Sequence, residues 1–181
     1  MESTLPKDVY EYLTNFADDR TVLEMLSVNK QFNNPTLFER IIDRKYPLLK
    51  HLKRENESWR HFYVRMIHYI AKLKEDYGIP YIPTKGYNPE WLYKQWRHDK
   101  KFLYGIAMGY AAEGGHMDIV QLMIEKGSDN FNGSMIDAAK GGQLEIVKFM
   151  VEKGATRFIL AMREAEKRGH TETVNYLKQF I

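Results

Sequence analysis

Cysteine is missing altogether from the 181 residues. That excludes a disulfide framework, a thiolate zinc site and a cysteine nucleophile, and it suits a reducing cytosol or nucleus. Long apolar runs are missing as well: no window approaches the ~18 uninterrupted apolar residues of a membrane span. The opening residues, Met1-Glu2-Ser3-Thr4-Leu5-Pro6-Lys7-Asp8, lack the basic stretch and apolar stretch of a secretory signal, so the chain is expected to stay in the compartment where it is made. Charge of one sign is scarce too. The 27 Lys+Arg stand against 24 Asp+Glu, a formal net charge of +3, which is too mild to announce a nucleic-acid binder. Against these absences, 44% hydrophobic and 28% charged residues describe a globular chain with a core, of one or two domains.

What is present, most visibly, is a repeat. Gly115, Gly142 and Gly169 stand 27 residues apart. The same step joins Tyr104, Phe131 and Phe158; Met108, Met135 and Met162; Ala111, Ala138 and Ala165; and Val120, Val147 and Val174. Three units follow: 101–127, 128–154 and 155–181. In the first, an apolar stretch rich in small residues ends at Ala111-Ala112-Glu113, and Gly114-Gly115 breaks it, since glycine accepts left-handed dihedrals at little cost. Asp118 falls in the first turn of the next helix, where the macrodipole favours an anion. Ile119, Val120, Leu122, Met123 and Ile124 supply a broad apolar face, and Lys126-Gly127 ends it. Each unit is a helix–turn–helix that cannot bury its apolar face alone and must stack on a neighbour.

The run from Ala111 to Gly127, echoed from Ala138 to Ala155, resembles the ankyrin repeat. The resemblance implies a short all-α solenoid of three repeats whose surface selects a target protein. The period of 27 is shorter than the usual ~33, which implies a trimmed loop between units, and the usual Thr-Pro-Leu-His opening is absent. Shortened units of this kind resemble those of giant DNA viruses. In the third unit Glu166, Thr173 and Lys178 replace Ala139, Ile146 and Val151 of the second. Polar residues where a further unit would dock are what a terminal cap requires.

The first 50 residues form a second informative stretch. Pro6 suits a first helical turn, and Val9, Tyr12, Leu13 and Phe16 follow at helical spacing. Ala17-Asp18-Asp19-Arg20 interrupts, and Val22, Leu23, Met25 and Leu26 start a short helix. Leu5-Pro6-x-Asp8, then Val28-x-Lys30-x-Phe32, then Leu37-Phe38 resembles an F-box, with Asp for its Glu and Phe for its Trp. Thr14 and Ala17 depart from the family, which has larger apolar residues there. The resemblance implies a helical box that docks, helix in groove, onto the Skp-type adaptor of cullin–RING ubiquitin ligases. By that resemblance Leu5, Pro6, Val9, Leu13, Val28, Lys30 and Phe32 are the adaptor-binding candidates.

Between the two lies a basic, aromatic segment. A long helix is expected over 57–77, with Trp59, Phe62, Met66, Tyr69, Ile70, Leu73 and Tyr77 on its spacing. Gly78 through Pro83 end it, and Asn88-Pro89-Glu90 starts another, with Trp91, Leu92 and Trp96 on its apolar side. The first repeat needs a lid on its open face, and Trp91 and Trp96 are the expected source. Residues 51–101 carry 11 Lys+Arg and 6 Asp+Glu, which opens an alternative of nucleic-acid binding, although basic residues on an amphipathic helix are ordinarily its wet face.

Catalytic chemistry is not visible. Gly105-Ile106-Ala107-Met108-Gly109 lacks the Lys-Ser/Thr of a phosphate loop and reflects close helix packing. His61 and His68, seven apart on one helix, are about 10 Å apart and too far for one metal. His116 and His170 share one repeat register and are read as loop donors that fix neighbouring units, with Gln143 in the middle copy. The expected organisation is all-α: an F-box-like box (1–50), a linker and cap (51–100) and three ankyrin-like repeats (101–181). The expected function is a non-enzymatic, cofactor-free and metal-free adaptor. It is expected to be monomeric alone, off the membrane, and to sit in the cytoplasm (the host's, if viral) or nucleus. It would join a Skp-type adaptor to an unnamed target. The alternative is a plain ankyrin module whose N-terminal box is a structural cap.

Overall fold

A computed structural model describes residues 18–28, 35–96 and 98–181, and every regular element among them is helical. Among these residues no helix is long and apolar enough to cross a membrane. Backbone contacts sort the chain into two compact units. The first holds the described residues up to Lys72 together with 88–90; the second holds 73–87 and 91–181. The segment 51–100 thus contributes to both.

In the first unit α1 runs Asp19–Val28, α2 Pro35–Lys45, a 3-10 helix Pro47–Leu52 and α3 Trp59–Tyr77, whose residues through Lys72 belong here. Asp18 starts α1 by accepting from the Thr21 N–H at 2.7 Å, the bond that holds its carboxyl below the usual carboxylate range. Proline opens α2, where its missing N–H is not needed. Leu37, Phe38, Ile41 and Ile42 on α2 are buried with Val22, Leu49, Phe62, Tyr63 and Met66. Each large apolar side chain so buried stabilises the unit by about 1.5–3 kcal/mol.

Two polar hubs tie this core down. Asp19 accepts from the Tyr46 hydroxyl and, at 2.8 Å, from the Tyr63 hydroxyl, with Lys45 Nζ 3.5 Å away. Arg65 donates to both Glu57 oxygens (2.7 and 2.6 Å), to Glu90 and to the Leu52 carbonyl at 3.0 Å. The Arg65 guanidinium holds the Glu57 carboxyl below its ordinary range against the opposing effect of burial.

In the second unit α4 (Pro89–Trp96, from Trp91 on) precedes three helix pairs: α5 (Lys100–Gly114) with α6 (Met117–Glu125), α7 (Phe131–Gly141) with α8 (Leu144–Glu152), and α9 (Phe158–Arg168) with α10 (Thr171–Leu177). A final 3-10 turn covers Lys178–Phe180. Within each pair the helices pack together, and α5 packs on α7 and α7 on α9. Asp99 and Asn130 cap α5 and α7 by accepting from the N–H groups of Phe102 (3.0 Å) and Gly133 (3.3 Å). Gly115, Gly142 and Gly169 end the first helix of each pair at φ 82°, 73° and 77°, the left-handed region where a Cβ is strained. The core is the row of Ala111, Ala138 and Ala165 with Val120, Val147, Val174, Met123, Met150 and Leu177.

The first pair has a lid that the sequence reading did not assign. Trp91 is 41% exposed, and the side chain of Trp96 lies outside the described residues. The segment 79–87 does the covering: Ile79, Ile82 and Tyr87 are buried, and the Tyr87 ring meets Tyr110 edge-on at 5.8 Å.

Candidate interaction surface

Of the residues marked as adaptor-binding, Leu5, Pro6, Val9, Leu13, Lys30 and Phe32 lie outside the described residues. Val28 is the last residue of α1, and its side chain lies outside them too.

The surface that the described residues do build is on the first helices of the three pairs. Small residues allow these helices to lie close. A Cβ placed on Gly109 would strike the Asp137 carboxylate, and one on Gly141 would overlap the Glu113 carbonyl oxygen. With that stripe used for packing, the next stripe of α5 stays partly open: Phe102, Ile106, Tyr110 and Glu113. Gly133, Asp137 and Lys140 hold the matching register on α7, and Leu160, Glu164 and Lys167 on α9.

Charge on this face is largely paired. Lys140 Nζ lies 3.0 Å from Glu113 Oε1, and Lys167 Nζ 2.5 Å from Glu164 Oε1. Asp137 is the exception, making neither hydrogen bond nor ion pair among the described residues. Its carboxyl is pushed up to about 6, by burial first and then by the nearby charges of Glu113 and Glu164, with Lys140 opposing. Burial also raises the Tyr110 phenol, helped by Asp137 and Glu113. A half-buried carboxylate without a donor is a ready acceptor for a cationic group. Toward the start of α5, Phe102, Gly105, Ile106 and Asn130 line an open cavity of about 400 Å³. Its rim carries Asp99 and the Lys101–Asp129 pair at 2.6 Å.

Consecutive pairs are joined by one recurring bond. His170 Nε2 lies 3.1 Å from the Lys140 carbonyl, Gln143 Nε2 donates to the Glu113 carbonyl at 3.4 Å, and His116 Nε2 lies 3.3 Å from the Pro83 carbonyl. This is the loop-donor role read from the repeat register. The third rung shows residues 79–87 standing where a preceding unit would stand.

Sequence reasoning missed Asp137, Arg65 and the 79–87 lid. A signal existed for the first: Tyr110, Asp137 and Glu164 share a register, so an acid occupies a position beside the small Gly109. None existed for Arg65, whose partner Glu90 is 25 residues away and in another helix. Set against protein-family models, curated proteins and solved structures, the chain matches none.

Proposed function

We propose that this protein is an adaptor: ankyrin-like helix pairs choose a target, and the F-box-like N-terminus delivers it to a Skp–cullin type ubiquitin ligase. The observation that carries the interaction half is the stack itself. Three helix pairs in one 27-residue register, joined by the same side chain-to-carbonyl bond, present a continuous, partly open face with an unpaired carboxylate. Repeat stacks of this kind offer extended binding surfaces, because one set of positions is spent on stacking and another stays open. The protein itself performs no chemistry in this reading; bringing the target near the ligase raises its effective concentration.

The ligase half rests on the resemblance of Leu5, Pro6, Val9, Leu13, Val28, Lys30 and Phe32 to the family motif. Its test is capture of the full chain by a purified Skp-type adaptor, with Leu5→Ala/Pro6→Ala as the control. Capture that the double variant weakens supports the reading, and no binding at ~10–100 µM, a range generous for a specific interface, removes it.

A second reading is favoured by one observation. Asp19 binds the start of α1 to Tyr46 after α2 and to Tyr63 on α3, so the N-terminal part is also structural. In that reading the protein is a plain interaction module, and removing residues 1–50 destabilises what remains. Capture by the Skp-type adaptor separates the two, because Leu37, Phe38, Ile41 and Ile42 are core residues of the first unit in either reading and their removal costs stability in both.

A further inference from the structure

The stripe that joins one pair to the next is identifiable on all three first helices. On α5 it is Gly105, Gly109 and Ala112: Gly105 faces the Asn130 side chain, Gly109 faces Asp137, and Ala112 is fully buried. On α7 it is Asn132, Ile136 and Ala139: Asn132 Oδ1 accepts from the Thr156 and Arg157 N–H groups at 2.8 and 2.9 Å, and Ala139 is fully buried. On α9 the same stripe is Ile159, Arg163 and Glu166. Ile159 is 51% exposed, and Arg163 and Glu166 are exposed without an ion pair among the described residues.

We propose that this α9 stripe is a contact between two copies of the chain, related by a two-fold axis. The charges argue for a second copy. Arg163 and Glu166 are three residues apart on one helix face and of opposite sign. When two such helices meet antiparallel about an axis between those positions, Arg163 of each copy faces Glu166 of the other, so the surface is complementary to itself, as a two-fold interface requires. Ile159 then falls opposite position 170 of the other copy, just beyond the end of its α9 at Arg168. The contact departs from the monomer expected from the sequence. It is small: α9 has 11 residues, about 16 Å of helix. A dissociation constant on the order of 100 µM fits an interface well below the standard size. The proposal does not rest on the adaptor reading.

Sedimentation of the full chain tests it, from about 10 µM to about 1 mM, a span bracketing that constant. The expected result is concentration-dependent dimer. Arg163→Glu alone and Glu166→Arg alone each create two like-charge contacts and weaken the dimer about tenfold or more. An equimolar mixture of the two variants restores association. The first variant carries two acids on the stripe and the second carries two arginines, so in the mixed dimer each acid faces an arginine. Both positions are exposed, and circular dichroism of each variant confirms that the fold is kept. A chain monomeric throughout the range overturns the proposal. So does a dimer that both single reversals leave unchanged, which belongs to another surface, or one that the mixture fails to restore.

Discussion

Replacing Asp137 by asparagine should stabilise the protein at neutral pH and do almost nothing in acid. The carboxyl is lodged against α5 at Gly109 without a donor, and burial raises its folded-state value from 3.8 to about 6. The sign follows from proton binding. Between pH 3.8 and 6 the folded state holds this proton more tightly than the unfolded state, so stability falls as pH rises through that window. Below it both states are protonated and no penalty exists; above it the penalty is complete. At about 1.4 kcal/mol per unit, the full penalty reaches about 3 kcal/mol. The same relation puts the advantage of Asp137→Asn under about 1 kcal/mol at pH 4, about 2 at pH 5 and up to about 3 at pH 7. Asparagine keeps the shape, so packing at Gly109 is unchanged and only the charge is removed. Urea unfolding of both proteins at pH 4, 5, 6 and 7, followed by helical circular dichroism, reads the difference directly. A carboxyl-carbon titration by NMR gives the pKa itself. A stability difference that stays constant over this range, or a titration midpoint near 4, refutes the reasoning.

Other perturbations follow from single contacts. Gly141→Ala forces a Cβ into the Glu113 carbonyl and should cost about 1–3 kcal/mol of thermal stability, since the clash is with backbone that cannot yield easily. His170→Ala removes a joint between the second and third pairs and should cost about 1 kcal/mol, whereas His170→Gln should be nearly silent, because Gln143 already does this work one unit earlier. Asp19→Ala strips the buried Tyr63 hydroxyl of its acceptor and should cost about 1–3 kcal/mol; adding Tyr63→Phe should recover part of it, measured by the same unfolding curves.

The helix pairs were legible because their causes are local. Gly115, Gly142 and Gly169 stop a helix wherever they stand, since only glycine takes a positive φ without strain. The apolar spacing of Ile119, Val120 and Met123 marks a buried face in any context, and all three are buried. The long helix expected over 57–77 is found at Trp59–Tyr77 for the same reason. The 79–87 lid was not foreseen because tryptophans looked like the natural cover. Two prolines and two glycines in 78–87 looked like an unstructured connection, yet Ile79, Ile82 and Tyr87 are fully buried there. Local pattern carries no information on which irregular segment a distant surface will recruit.

By itself, then, the sequence determined the helical class, the 27-residue register and the loop donors that recur with it, all consequences of spacing and backbone preference. Only the tertiary structure decided that Arg65 would clamp Glu57 and Glu90, that Asp19 would receive two tyrosine hydroxyls, and that Asp137 would keep a carboxylate half-buried and unpaired. Those outcomes depend on which groups lose water together, and burial is a property of the packed chain that no single stretch of residues contains.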